Sequence, residues 1–166
     1  MRLADLQVTP LISWNDGEHI PANLSWSPDG RRIAFDVYFS DGTTTSGSVM
    51  VMQADGTQVK QLSAIGDHSA PAWSPDGRQI AFVSARRSEN TATLSVMQPD
   101  GSNVVQLTDG LMPASTVAWS PDGKRLLFNG NCTVRGGGIP GLFTIAADGS
   151  DRTAVATPAD VPPYGM

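Results

Sequence analysis

The chain has 166 residues, 40% hydrophobic and 16% charged, with a formal net charge of −5 and a pI near 4.7. That acidity excludes a nucleic-acid groove, which needs a clustered basic face; the eleven basic residues are scattered, and Arg86 with Arg87 is their densest group. One cysteine, Cys132, excludes an intrachain disulfide and a cysteine-rich metal site and leaves the compartment undecided.

In chain order, residues 1–19 are expected to carry a stray strand over Leu6–Asn15 and an inter-repeat loop. Ser13-Trp14-Asn15-Asp16-Gly17 stands before Trp26 as Gln106-Leu107-Thr108-Asp109-Gly110 stands before Trp119, so the stretch reads as the last strand of a repeat whose front is missing. Pro10 makes it an edge strand. Met1–Leu6 lacks the apolar run of a signal peptide, and no stretch approaches a membrane span. A soluble protein is expected, of unknown compartment.

From Trp26 onward the sequence repeats. Trp-Ser-Pro-Asp-Gly occurs at 26–30, 73–77 and 119–123, with the tryptophans 47 and 46 residues apart. Such a period signals an array of one supersecondary unit. In each copy, Pro28, Pro75 or Pro121 presets φ for the second position of a type I turn, Asp29, Asp76 or Asp122 suits the third, and Gly30, Gly77 or Gly123 takes the left-handed conformation. That is a hairpin turn with a bulge at the glycine. A second Asp-Gly turn of the same design follows at Asp55, Asp100 and Asp148. Turn chemistry accounts for all six aspartates without calcium.

The strands between turns follow a fixed order. Repeat one offers Leu24–Trp26, Arg31–Phe39, Ser48–Met52 and Gln58–Leu62; repeat two Pro71–Trp73, Gln79–Ser84, Thr93–Met97 and Asn103–Leu107; repeat three Val117–Trp119, Arg125–Phe128, Leu142–Ile145 and Arg152–Ala156. The second strands are apolar on both faces, as a sheet covered on both sides requires. No helix is signalled. The fold class is therefore all-β, a β-propeller of four-stranded antiparallel blades: blade 1 at 20–65, blade 2 at 66–112, blade 3 at 113–157, and a Pro-rich tail at 158–166. The tryptophans are expected in the core between blades.

Trp-Ser-Pro-Asp-Gly, then Arg-x-Ile-Ala-Phe, Val-Met-x-x-Asp-Gly and Gln-Leu-Ser/Thr, resembles the WD-like repeats of TolB-type six-bladed β-propellers over about residues 20–156. The resemblance implies a bacterial, often periplasmic, protein-binding scaffold, or a propeller of the kind attached to serine peptidases of the prolyl oligopeptidase and tricorn type. It carries no shared catalytic residues. Against the family's six or seven repeats, three are expected here, with no attached hydrolase or amino-terminal domain.

Three blades leave an apolar sheet face open at each end, an association liability. The expected remedy is a homodimer closing six blades, within the four to eight that closed propellers use. The stray N-terminal strand would join the partner's blade or blade 3 of its own chain, displacing Arg152–Ala156.

Candidate binding residues lie on the face of the long, variable loops. Glu18, His19, Asp67, His68, Asp109 and Met112 are expected at the channel mouth, and Arg86, Arg87 and Arg135 in the second-to-third loops, where they suit an acidic peptide. Four histidines from two chains would permit a metal at that mouth, but no short ligand spacing supports one; no cofactor is expected. Gly136-Gly137-Gly138 lacks the lysine and helix of a phosphate loop and reads, with Cys132, as part of a loop over Asn129–Gly141. The want of a Gly-x-Ser-x-Gly elbow and of an α/β domain argues against a serine hydrolase. The sequence thus favours a non-catalytic scaffold that binds a protein or peptide. The alternatives are a propeller lyase or metal-dependent hydrolase working at the channel mouth, and a purely structural half-propeller.

Overall fold

The computed structural model describes residues 9–13, 19–40, 45–64, 66–86, 91–109, 116–134 and 137–156. These form twelve strands, and no helix is present among the described residues. Unit 1 comprises β1 (His19–Trp26), β2 (Arg32–Ser40), β3 (Thr45–Gln53) and β4 (Lys60–Gln61). Unit 2 comprises β5 (Asp67–Trp73), β6 (Ile80–Arg86), β7 (Thr91–Met97) and β8 (Val105–Gln106); unit 3 comprises β9 (Val117–Trp119), β10 (Arg125–Val134), β11 (Gly137–Ala146) and β12 (Thr153–Ala156). Within each unit the four strands pair antiparallel in chain order. Units 1 and 2 are also joined by a parallel bridge, Gly47 to Asp67.

The first turns form as their residues dictate. Gly30, Gly77 and Gly123 have φ of +68°, +71° and +69°. Asp29 Oδ1 accepts from the Ser27 hydroxyl at 2.6 Å and from Arg31 N at 3.0 Å, and the same pair of bonds recurs at Asp76 and Asp122. The second turns share the left-handed glycine and the aspartate acceptor. They differ from the first in that Gln58, Asn103 and Asp151, two residues on, are left-handed as well.

The middle strands of units 1 and 2 are buried on both faces and those of unit 3 on one, and three apolar clusters result. Ala34, Val49 and Val51 of unit 1 meet Trp73, Ile80, Phe82 and Met97 of unit 2. Ala81, Val83, Leu94 and Val96 of unit 2 meet Leu126, Phe128, Phe143 and Ile145 of unit 3. The third cluster, Ile33, Phe35, Val37 and Met52, lies on the opposite face of unit 1, and Ile12 packs against it.

This last cluster narrows the expectation of an open face at the unit 1 end. Ile33, Phe35, Val37 and Met52 are all buried, so the face of unit 1 is capped within the chain. Among the described residues the far face of unit 3 is open at Leu127 and Leu142, 39% and 42% exposed, and the unit 1 end still exposes Trp26.

The N-terminal register differs too. A Cβ on Gly101 would lie 2.6 Å from the Leu62 carbonyl oxygen and one on Gly149 would lie 3.4 Å from that of Leu107; the carbonyl of Leu11 rests on Gly56 in the same way. Leu11, rather than Trp14, therefore takes the place of Leu107. The described part of the expected Leu6–Asn15 strand, residues 9–13, has no ladder partner among the described residues.

A further correction falls on Asn129–Gly141, expected as a loop. β10 and β11 pair continuously through it, Asn131 with Pro140, Cys132 with Ile139, Thr133 with Gly138 and Val134 with Gly137. Backbone pairing from the Leu126–Phe128 strand simply continues outward, and it needs no side chain from the glycines.

Candidate functional site

The inner strands β1, β5 and β9 lie side by side. His19 opens β1 opposite Phe39, with the two rings edge to face at 4.7 Å. Asp67 and His68 open β5. The His68 ring stands edge-on to Phe82 at 5.6 Å, and its Nδ1 is 2.8 Å from the Ser84 hydroxyl. Burial lowers the His68 pKa, with the neighbouring Asp67 charge acting against it.

The parallel bridge at Gly47 fits this corner closely. A Cβ on Gly47 would stand 2.8 Å from the His68 carbonyl oxygen, so only glycine lets β3 approach β5 there.

Asp36, not singled out in the sequence, is the most constrained charged group. It is fully buried, and its Oδ2 accepts from Asn23 Nδ2 and from Ala70 N, both at 2.8 Å, tying unit 1 to the bulged strand of unit 2. Its Oδ1 has no partner among the described residues. Burial raises its pKa, against the hydrogen bonds from Asn23 and Ala70. The signal available was a lone carboxylate inside the apolar run Ile33-Ala34-Phe35-Asp36-Val37.

The remaining candidates are dispersed. Arg86 is exposed at the end of β6, opposite Thr91. Asp109 lies beside the outer strand, accepting from Gln106 Nε2 at 2.5 Å, and lines a 340 Å³ cavity with Leu107, Thr108, Ile145, Gly149 and Arg152. Gly149 belongs to a second turn, so this cavity is away from the inner strands. Glu18, Arg87, Met112 and Arg135 fall outside the described residues. Among the described residues no three His, Cys, Asp or Glu side chains are grouped to hold a metal ion. The six turn aspartates are occupied locally: hydroxyl and backbone hydrogen bonds from Ser27, Thr57, Ser74, Ser102, Ser120, Ser150 and their turn neighbours hold each carboxyl below its ordinary pKa.

Four-stranded antiparallel units stacked face to face, with inner strands side by side, define a β-propeller architecture. The sequence family described as TolB beta propeller domain matches residues 12–161, and the chain belongs to that family. Similar solved structures include a putative TolB from Agrobacterium tumefaciens, at 22% identity and a TM-score of 0.66, with 84% of this chain and 49% of that chain covered. A nidogen/laminin complex matches at 16% identity and a TM-score of 0.64, covering 85% of this chain and 49% of that one. Oligogalacturonate lyase in complex with manganese matches at 12% identity and 0.62, covering 84% and 42%. The chain thus spans about half the length of these structures or less, and at such identities they speak for the fold alone. No match was found among curated protein sequences. Among the described residues no helix is long and apolar enough to cross a membrane.

Proposed function

We propose that the chain is a non-catalytic propeller scaffold that binds a protein or peptide, and that two copies close one ring of six blades. The observation that carries this reading is that two of the three repeat tryptophans pack against the preceding unit, each by its own contact, and the third does not. Trp73 is 6% exposed, with the Arg32 guanidinium 4.6 Å from its ring, and Trp119 Nε1 donates to Ala72 O of the preceding unit at 3.0 Å. Trp26, the same residue of unit 1, is 57% exposed. The turns agree: a Cβ on Gly77 would meet Pro28 at 3.2 Å and one on Gly123 would meet Pro75 at 3.8 Å, whereas Gly30 has nothing within 4 Å.

Within such a ring, binding is assigned to the face that carries Asp67, His68 and Arg86, since the opposite face is spent on tight, uniform turns. Both a protein complex and a lyase share the fold, so activity must be read from the site. The test is a peptide selected by display against the wild-type protein. Its affinity is expected to fall at least about tenfold, or about 1.4 kcal/mol, in an Asp67→Ala/Arg86→Ala variant and to be unchanged in Asp55→Ala on the turn face. Equal loss in both variants, or turnover of a glycan or peptide that His68→Ala abolishes, would overturn the reading.

A further inference from the structure

The outer strands obey one ladder rule. In unit 1, Lys60 pairs with Val51 and Gln61 with Met50, and Leu62 N donates to Val49 O at 2.8 Å. In unit 2, Val105 pairs with Val96 and Gln106 with Ser95, and Leu107 N donates to Leu94 O at 2.8 Å. Hydrogen-bonded and non-bonded pairs alternate in an antiparallel ladder. Gln61 and Gln106 therefore occupy non-bonded pairs, and their amides are not used by the neighbouring strand.

Leu11 meets Gly56 with the same three backbone atoms, O, C and Cα, that Leu62 presents to Gly101. Carrying the register back puts Pro10 at the place of Gln61 and Gln106, and Thr9 at the place of Lys60 and Val105. The proline that bars this stretch from an inner strand thus falls where a missing N–H costs nothing.

β12 fits its own seat less well. Its register slips between Leu142 and Phe143 and sets Ala156 opposite Leu142, where unit 1 sets Leu62 against Val49. Val155 is left 58% exposed. One end of the chain thus offers exposed Leu11 and Trp26, and the other offers exposed Leu127 and Leu142.

We propose that Thr9–Ser13 of each copy serves as the outer strand of blade 3 in a second copy, added along β11 in place of β12. This rests on the two-copy ring proposed above. The exchanged strand keeps the leucine bond of the ladder. It gives up one other, because Ile12 stands where the Ser63 and Thr108 hydroxyls accept from Val49 N and Leu94 N.

The experiment uses the full chain with Cys132→Ser. Thr9→Cys and Thr144→Cys would form a hydrogen-bonded pair of the kind Lys60 makes with Val51, with Cα atoms about 5.5 Å apart, within disulfide reach. Mild oxidation is expected to yield a covalent dimer of twice 17.5 kDa that neither single variant gives. A second variant, Thr144→Cys/Thr153→Cys, locks β12 onto β11 within one chain and is expected to convert the dimer to monomer. If the locked variant stays dimeric and the Thr9/Thr144 pair does not link, the exchange is wrong and the two-copy ring stands. If every variant and the parent are monomers, the ring fails as well, and Thr9–Ser13 is only a cap over Ile33 and Phe35.

Discussion

Asp36 shows how one residue couples two units. Its buried carboxylate is the acceptor for both Asn23 and the Ala70 amide, and desolvation raises its pKa. The native state then holds this proton more tightly than the unfolded chain. Its contribution to stability is fully present below the ordinary value of 3.8 and is lost as pH rises through the raised folded value. Asp36→Asn keeps an acceptor oxygen and removes the charge, so its urea midpoint should change less than that of the wild type between about pH 4 and pH 7. An unchanged pH difference would remove Asp36 from this role. Asp36→Ala strands the buried Ala70 amide, the Asn23 side chain being exposed, and should cost about 1–3 kcal/mol near pH 4, read from the same unfolding curves. His68 works in the opposite sense. Its lowered pKa contributes stability above the ordinary value of 6.5 that is lost as pH falls, and His68→Gln should remove that acid-side loss. The lone aspartate in an apolar run was visible in the sequence, but its partners lie 13 and 34 residues away, beyond any local pattern.

Among the elements, the turns were the most legible part of the chain, because proline, aspartate and glycine act within four residues and need no tertiary partner. The doubly buried middle strands were legible for a similar reason: Ile80–Val83 has no polar residue to give a solvent side. The β10–β11 extension was not, since Gly137, Gly138 and Pro140 signal a loop unless the pairing strand opposite is seen. The Leu11 register was also hidden, because a carbonyl resting on a glycine leaves no side-chain trace and Trp14 is the more conspicuous residue. The glycines themselves give a graded test. Gly30→Ala meets open space and should cost only the left-handed penalty of about 1–2 kcal/mol. Gly101→Ala adds a collision with the Leu62 carbonyl at 2.6 Å and should cost more, measured by urea unfolding. Equal costs would show that the second-turn glycines carry no packing role between units.

For the whole molecule, three units stack face to face, and the proposed pairing would add a further junction between unit 3 of one copy and unit 1 of the other. One end is unit 1 with Trp26, Gly30 and the Leu11 segment; the other is unit 3 with Leu127 and Leu142. The repeat of the Trp-Ser-Pro-Asp-Gly unit was plain in the sequence. What the sequence did not show was the asymmetry of the ends, because the capping of Ile33 and Phe35 depends on where Ile12 comes to rest. A patch that repeats an internal interface head to tail closes a ring when the rotation per unit fits, and otherwise adds copies without limit. The most direct check is the mass in solution by light scattering after size exclusion. A single species at twice 17.5 kDa is expected across the concentration range. A monodisperse monomer, or a mass that climbs steadily with concentration, would contradict the closed six-bladed pair.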